Sequence, residues 1–106
     1  FRPAEFYPGT SPFLLPIIVN DQFINKKKLI AEMLIKEGIN LSPEYNCIIS
    51  DWKIVKKLRI KVVKDNNAKS MKKRSFNLFL NENYGREEVR DIVLAFKKIS
   101  NYFYGL

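Results

Sequence analysis

Ser75-Phe76-Asn77-Leu78-Phe79-Leu80-Asn81 runs into Tyr84-Gly85-Arg86-Glu87-Glu88-Val89-Arg90-Asp91-Ile92-Val93-Leu94-Ala95-Phe96-Lys97-Lys98-Ile99, and this stretch decides the fold. The first run sets Phe76, Leu78 and Leu80 against Asn77 and Phe79, the period of a strand. The second places Val89, Ile92, Val93, Phe96 and Ile99 at helical spacing and predicts an amphipathic helix from about Arg86. Glu87 and Glu88 fall in its first turn and Lys97 and Lys98 near its end, as the helix dipole favours. Gly85 occupies the cap position, where it contributes less than a hydroxyl residue would.

Working outward, Pro12 to Asn20 is rich in Phe, Leu, Ile and Val and reads as a strand with both faces at least partly covered. Pro16 lacks an amide donor, which places this strand at an edge or puts a bulge in it. Asn25 is the expected N-cap of a helix reaching about Glu37, with Leu29, Ile30, Met33 and Leu34 as its apolar stripe and Gly38 as its stop. Ile39-Asn40-Leu41 re-enters the sheet, and Pro43 ends that strand and sends Glu44-Tyr45-Asn46-Cys47 into a loop. Asp51 is the expected cap of a short helix through about Leu58, with Trp52 and Val55 on one side. Ile60-Lys61-Val62-Val63 fits either a helix end or a short strand. Asp65-Asn66-Asn67 precedes a short helix from Ala68 to Arg74. The order strand, helix, strand, short helices, strand, helix predicts an α+β fold: a small, mostly antiparallel three-stranded sheet covered by helices.

A chain of 106 residues, 46% of them hydrophobic, makes one small packed domain and not a disordered tail. Apolar runs break at Pro16, Asn20 and Asp21, far short of the roughly 20 residues that span a bilayer. Phe1-Arg2-Pro3-Ala4-Glu5 does not open a secretory signal, and the single Cys47 excludes an internal disulfide framework. A cytoplasmic location without a membrane partner is therefore expected. Residues 1–11, with Pro3, Pro8 and Gly9, read as an extended lead-in, and residues 12–106 as the domain proper.

The net charge of +8 raises the question of nucleic acid. Lys26-Lys27-Lys28, Lys56-Lys57 and Lys72-Lys73-Arg74 fall on different predicted helices, and charge runs usually face solvent. They read as solvated faces, with no specific nucleic-acid site. Phe76, Phe79, Tyr84, Tyr102, Phe103 and Tyr104 are spaced for a core and lack the basic-aromatic signature of a sheet that stacks RNA bases.

The chain contains no histidine, which removes the usual general base and the usual zinc ligand. One cysteine without histidine makes neither a thiol–imidazole pair nor a structural zinc site. Four glycines form no phosphate-cradling motif. A catalytic apparatus contained wholly within these residues is not expected.

Tyr7-Pro8-Gly9-Thr10-Ser11-Pro12-Phe13, the Pro12–Asn20 strand, the Glu37-Gly38-Ile39 re-entry and the Ser75–Asn81 strand leading into the Glu87-Glu88-Val89 helix occur in a telling order. As an ordered set they resemble the C-terminal small domain of the DegT/DnrJ/StrS-type aminotransferases. These fold-type I enzymes use pyridoxal phosphate to aminate keto-sugars. The resemblance spans nearly all of the chain from about Phe6. It implies that residues 1–11 lead in from a large domain absent from this sequence. That domain would carry the Schiff-base lysine and the other groups that hold pyridoxal phosphate, so no lysine here, Lys64 and Lys69 included, takes that role. It also implies a homodimeric parent acting on a sugar nucleotide, with an amino acid as donor. One small-domain position is expected to reach substrate: Tyr45 matches an aromatic that lines the sugar side of the family's cleft. Cys47 and Ile49 stand where the family carries a proline and a polar residue, a departure from its pattern. The alternative within the chain is that Tyr45 packs beside Trp52. The alternative for the whole chain is a free-standing basic interaction module that binds nucleic acid or a protein.

Overall fold

In a computed structural model, residues 1–105 are described. Among them the chain forms strands β1 (Arg2–Pro3), β2 (Leu14–Ile18), β3 (Leu41–Ser42) and β4 (Ser75–Phe79). The helices are α1 (Lys27–Lys36), α2 (Lys53–Lys57), α3 (Asn66–Arg74) and α4 (Arg86–Tyr104), with short 3-10 segments at Asp21–Lys26 and Ile49–Asp51. The strands make one antiparallel sheet in the order β1-β2-β4-β3. The α+β class is as the sequence predicts.

The sheet has four strands, not the three expected. The extra one lies in the segment read as an extended lead-in, where Arg2 faces Ile18 and Pro3 faces Ile17. Two residues are too few to carry any periodicity, so only main-chain pairing reveals this strand.

β1 also makes β2 an interior strand, which corrects the edge or bulge expected from Pro16. The Pro16 carbonyl accepts from the Ala4 amide at 2.8 Å. A residue's N and O lie on the same side of a strand, so the missing donor faces β1 at the point where β1 stops. The five-residue ladder to β4, from Leu14↔Phe79 to Ile18↔Ser75, does not need it.

Register puts Leu15, Ile17, Leu41, Phe76 and Leu78 on one face of the sheet. That face meets Ile30, Ala31 and Leu34 of α1 and Ala95 and Ile99 of α4 to form the core. Phe76, Ile30, Leu34, Ile99 and Val19 are its largest fully buried side chains. Removing a side chain of this kind from water contributes about 1.5–3 kcal/mol each, which is how so short a chain holds a core.

The cap and stripe expectations fare unevenly. Asn25 lies inside the 3-10 segment, and α1 continues from it with no side-chain cap, so the predicted Asn25 cap is wrong. Asp51 likewise sits in the 3-10 turn before α2, which starts after Trp52. Gly38 does end α1. At φ 88° it donates to Ile35 O (2.9 Å), while Ile39 donates to Leu34 O (3.0 Å). These paired bonds form a Schellman motif, whose left-handed position suits glycine. In α4 the predicted stripe has the right period but uneven depth. Ile99 is buried and Phe96 half-buried, whereas Val89 and Val93 stay exposed. Phe96 stacks on Phe76 at a centroid separation of 6.2 Å, and the Phe1 ring meets Phe96 edge-on at 5.6 Å. At the far end Phe23 packs against Phe103 and Tyr104, and Gln22 and Asn20 donate to the Tyr104 hydroxyl at 3.1 and 3.4 Å.

Glu88 reaches back to accept from the Gly85 amide at 2.7 Å. Its own amide and that of Gly85 hold its carboxyl below the usual range. Gly85 has no side chain with which to return the bond, so α4 starts on half of a capping box.

Candidate functional site

Between β3 and α3 the chain leaves the sheet for an excursion whose buried apolar residues, Ile48 and Val55, lie outside the main core cluster. Its base is tied by polar contacts. Ser50 donates to Asp65, and Lys69 pairs with Asp65 at 3.2 Å and with Asp51 at 3.8 Å. An open cleft of about 550 Å³ lies here, lined in part by Tyr45, Cys47, Ile49, Ser50, Lys61 and Asp65. The structure thus brings Tyr45 together with Cys47 and Ile49. Tyr45 is half-exposed at 43% and is not stacked on Trp52, whose indole N–H instead points to Asn46 O at 3.5 Å.

The Ser50 hydroxyl, opposed by some desolvation and aided by Lys69, holds the Asp65 carboxyl below the usual range. A carboxylate so stabilised is a poor base for activating Ser50 near neutral pH. Among the described residues no group of three His, Cys, Asp or Glu is placed to hold a metal ion.

Sequence reasoning missed a second cleft. A groove of about 580 Å³ runs between the sheet and α4, lined in part by Phe1, Leu15, Leu80, Val89, Val93 and Phe96, with Arg2 and Lys97 beside it. The signal was present in the α4 stripe, whose first turns carry more apolar side chains than one small sheet covers.

The lysine runs also need correction. Lys27 was read as part of a solvated face, but it is 9% exposed, and its Nζ donates to Lys72 O at 2.9 Å and Ser75 O at 3.2 Å. It satisfies carbonyls at the C-terminus of α3, where a cation suits the helix dipole. Burial lowers its pKa from the usual lysine value; Glu44 opposes that shift and Lys72 adds to it. The Lys26–Lys28 and Lys72–Arg74 runs therefore meet in space although they lie on separate elements.

The excursion also carries Lys53-Ile54-Val55-Lys56-Lys57-Leu58-Arg59-Ile60-Lys61-Val62-Val63-Lys64. Of these residues only Val55 is buried. Arg59 takes the left-handed region at φ 52°, unusual for a non-glycine residue, and turns the chain out of α2. No regular structure forms over Ile60–Val63, which the sequence left between helix end and strand.

Among the described residues no helix is long and apolar enough to cross a membrane. Comparison with family models, curated proteins and solved structures finds no match to this chain.

Proposed function

We propose that these residues are the C-terminal small domain of a pyridoxal-phosphate-dependent aminotransferase that moves an amino group from an amino acid to a keto-sugar nucleotide. The observation that carries this reading is the way the resembling segments assemble. β2 and β4, nearly sixty positions apart in the chain, pair over five residues, β3 follows the Gly38 stop, and α4 follows β4 directly. The open apolar groove along α4 suits a domain that packs against a larger body, here the large domain of a homodimeric parent.

The residues present do not fit the cofactor itself. The buried lysine, Lys27, has its amino group committed to two carbonyls, and Lys69 is committed to Asp51 and Asp65. The resemblance, in turn, implies that cofactor chemistry belongs to the large domain. The part of this domain is to present the Tyr45 cleft to the sugar: a phenol can bond a hydroxyl or phosphate while its ring packs on the cleft wall.

The test is to translate the reading frame upstream of Phe1, express the whole product, and measure bound pyridoxal phosphate and glutamate-dependent amination of keto-sugar nucleotides. A stoichiometric cofactor on an upstream lysine supports the reading. A start codon directly before Phe1 sinks it in favour of the basic interaction module, which draws its support from the exposed 53–64 run.

A further inference from the structure

The 53–64 run combines two properties that a solvated face does not need together. Six of its residues are Lys or Arg, none is acidic, and the other six are aliphatic. Ile54, Leu58, Ile60, Val62 and Val63 are each at least half exposed, Val63 at 88%. Among the described residues none of the six cations makes an ion pair. Nor, among the described residues, do the main-chain groups of Lys61, Val62, Val63 and Lys64 make a hydrogen bond. Cations, aliphatic side chains and unpaired main-chain donors and acceptors are thus gathered along one short, exposed arm, whose Ile60, Lys61, Val62 and Val63 also form a wall of the Tyr45 cleft.

Each property narrows the occupant. Unpaired positive charge selects an anionic one. Nucleic acid offers anions, but apart from the single guanidinium of Arg59 the arm has no planar group on which bases stack, and its five exposed aliphatic side chains would gain little there. An anionic bilayer would accept the aliphatic groups, but it is gripped by a continuous amphipathic helix. α2 has five residues, and the unpaired backbone after it would have to be satisfied outside the hydrocarbon. An extended protein segment supplies all three requirements at once: carboxylates for the cations, apolar side chains between them, and main-chain partners for the free N–H and C=O groups.

We propose that the 53–64 arm is a docking surface for an extended, acidic protein segment in which carboxylates alternate with aliphatic side chains, supplied by a polypeptide other than this chain. The proposal goes beyond the enzyme reading and does not rest on it, so either can fail alone.

The probe is a blocked synthetic peptide of alternating Glu and Val, titrated into the ¹⁵N-labelled chain and followed by amide chemical shifts. Saturable shifts confined to residues 53–64 are expected, weakening as salt rises. A Glu-Ser peptide of equal charge should bind at least about tenfold more weakly, because the aliphatic contacts are lost. A Lys-Val peptide should not bind. The triple variant Ile60→Ser, Val62→Ser, Val63→Ser should lose the Glu-Val interaction while its other amide signals stay in place, since these side chains lie outside the core. The proposal is overturned by an absence of saturable shifts in the arm at millimolar peptide, or by equal affinity for the Glu-Ser peptide. It is equally overturned if phosphatidylserine vesicles occupy the arm at concentrations where the Glu-Val peptide does not, or if one DNA sequence occupies it selectively at physiological salt.

Discussion

Replacing Lys27 with methionine keeps the aliphatic stem and removes only the amino group. Two hydrogen bonds from that group, at 2.9 and 3.2 Å, are lost, and the α3 carbonyl of Lys72 and the carbonyl of Ser75 lose their donor. Bonds from a charged group contribute about 1.5–3 kcal/mol each, and part is returned because a buried ammonium no longer needs desolvation. A net loss of about 2 kcal/mol is expected, or about 8–16 °C in Tm for a domain of this size. The pH dependence separates this from simple loss of packing. Because burial lowers the Lys27 pKa, the unfolded chain binds more protons between the folded pKa and 10.5. Stability contributed by this residue is therefore flat below the folded pKa and rises with pH up to 10.5. A neutral amine still has two N–H donors for the two carbonyls. The stability gap between the parent and Lys27→Met should therefore widen as pH rises towards 10.5, while tyrosine ionisation, common to both, cancels. Urea unfolding followed by circular dichroism across that range measures the gap. A gap that is absent at neutral pH, or that closes as pH rises, refutes the assignment.

Phe96→Ala should cost about 2–4 kcal/mol in denaturant unfolding, because the half-buried ring stacks on fully buried Phe76 and meets Phe1 edge-on; an unchanged midpoint would remove α4 from the sheet. Gly38→Ala should destabilise by about 1 kcal/mol or more by the same measurement, since φ 88° strains any side chain although the space around the position is open. Duplex and single-stranded oligonucleotides should bind weakly and without sequence preference, with a Kd around 10⁻⁴–10⁻⁶ M that weakens steeply with salt. Fluorescence anisotropy giving tight, salt-resistant and selective binding would promote the interaction-module reading.

The elements that announced themselves in the sequence are those whose period is long enough to be read. β4 alternates over five residues and α4, nineteen residues long, carries its stripe from Val89 to Ile99, and both stand where the pattern places them. β1 is two residues long, below any period, and its discovery reverses the meaning of Pro16. The lysines are a different failure. Charge alone cannot tell which member of Lys26-Lys27-Lys28 faces inward, because that depends on α3 ending beneath it. Helical spacing also predicted which α4 residues share a face but not how far the sheet reaches along it, so the stripe hinted at surplus apolar surface without locating the groove at Val89 and Val93. Tyr45 was correctly drawn into a loop, and it lines a cleft there. Asn25 and Asp51 have the right chemistry for caps, but each falls inside a 3-10 turn that displaces the helix start.

The position of Pro16 has a consequence for how this sheet resists unwanted growth. A strand from another molecule that displaced the short β1 would find the amides of Ile18 and its neighbours as a template. On reaching the position of Ala4 it would meet a residue that accepts but cannot donate. Pairing would stall there, after too few hydrogen bonds to hold a foreign strand. Proline at this place acts as a gatekeeper, limiting to a few residues an edge that would otherwise invite strand exchange and fibril-like addition.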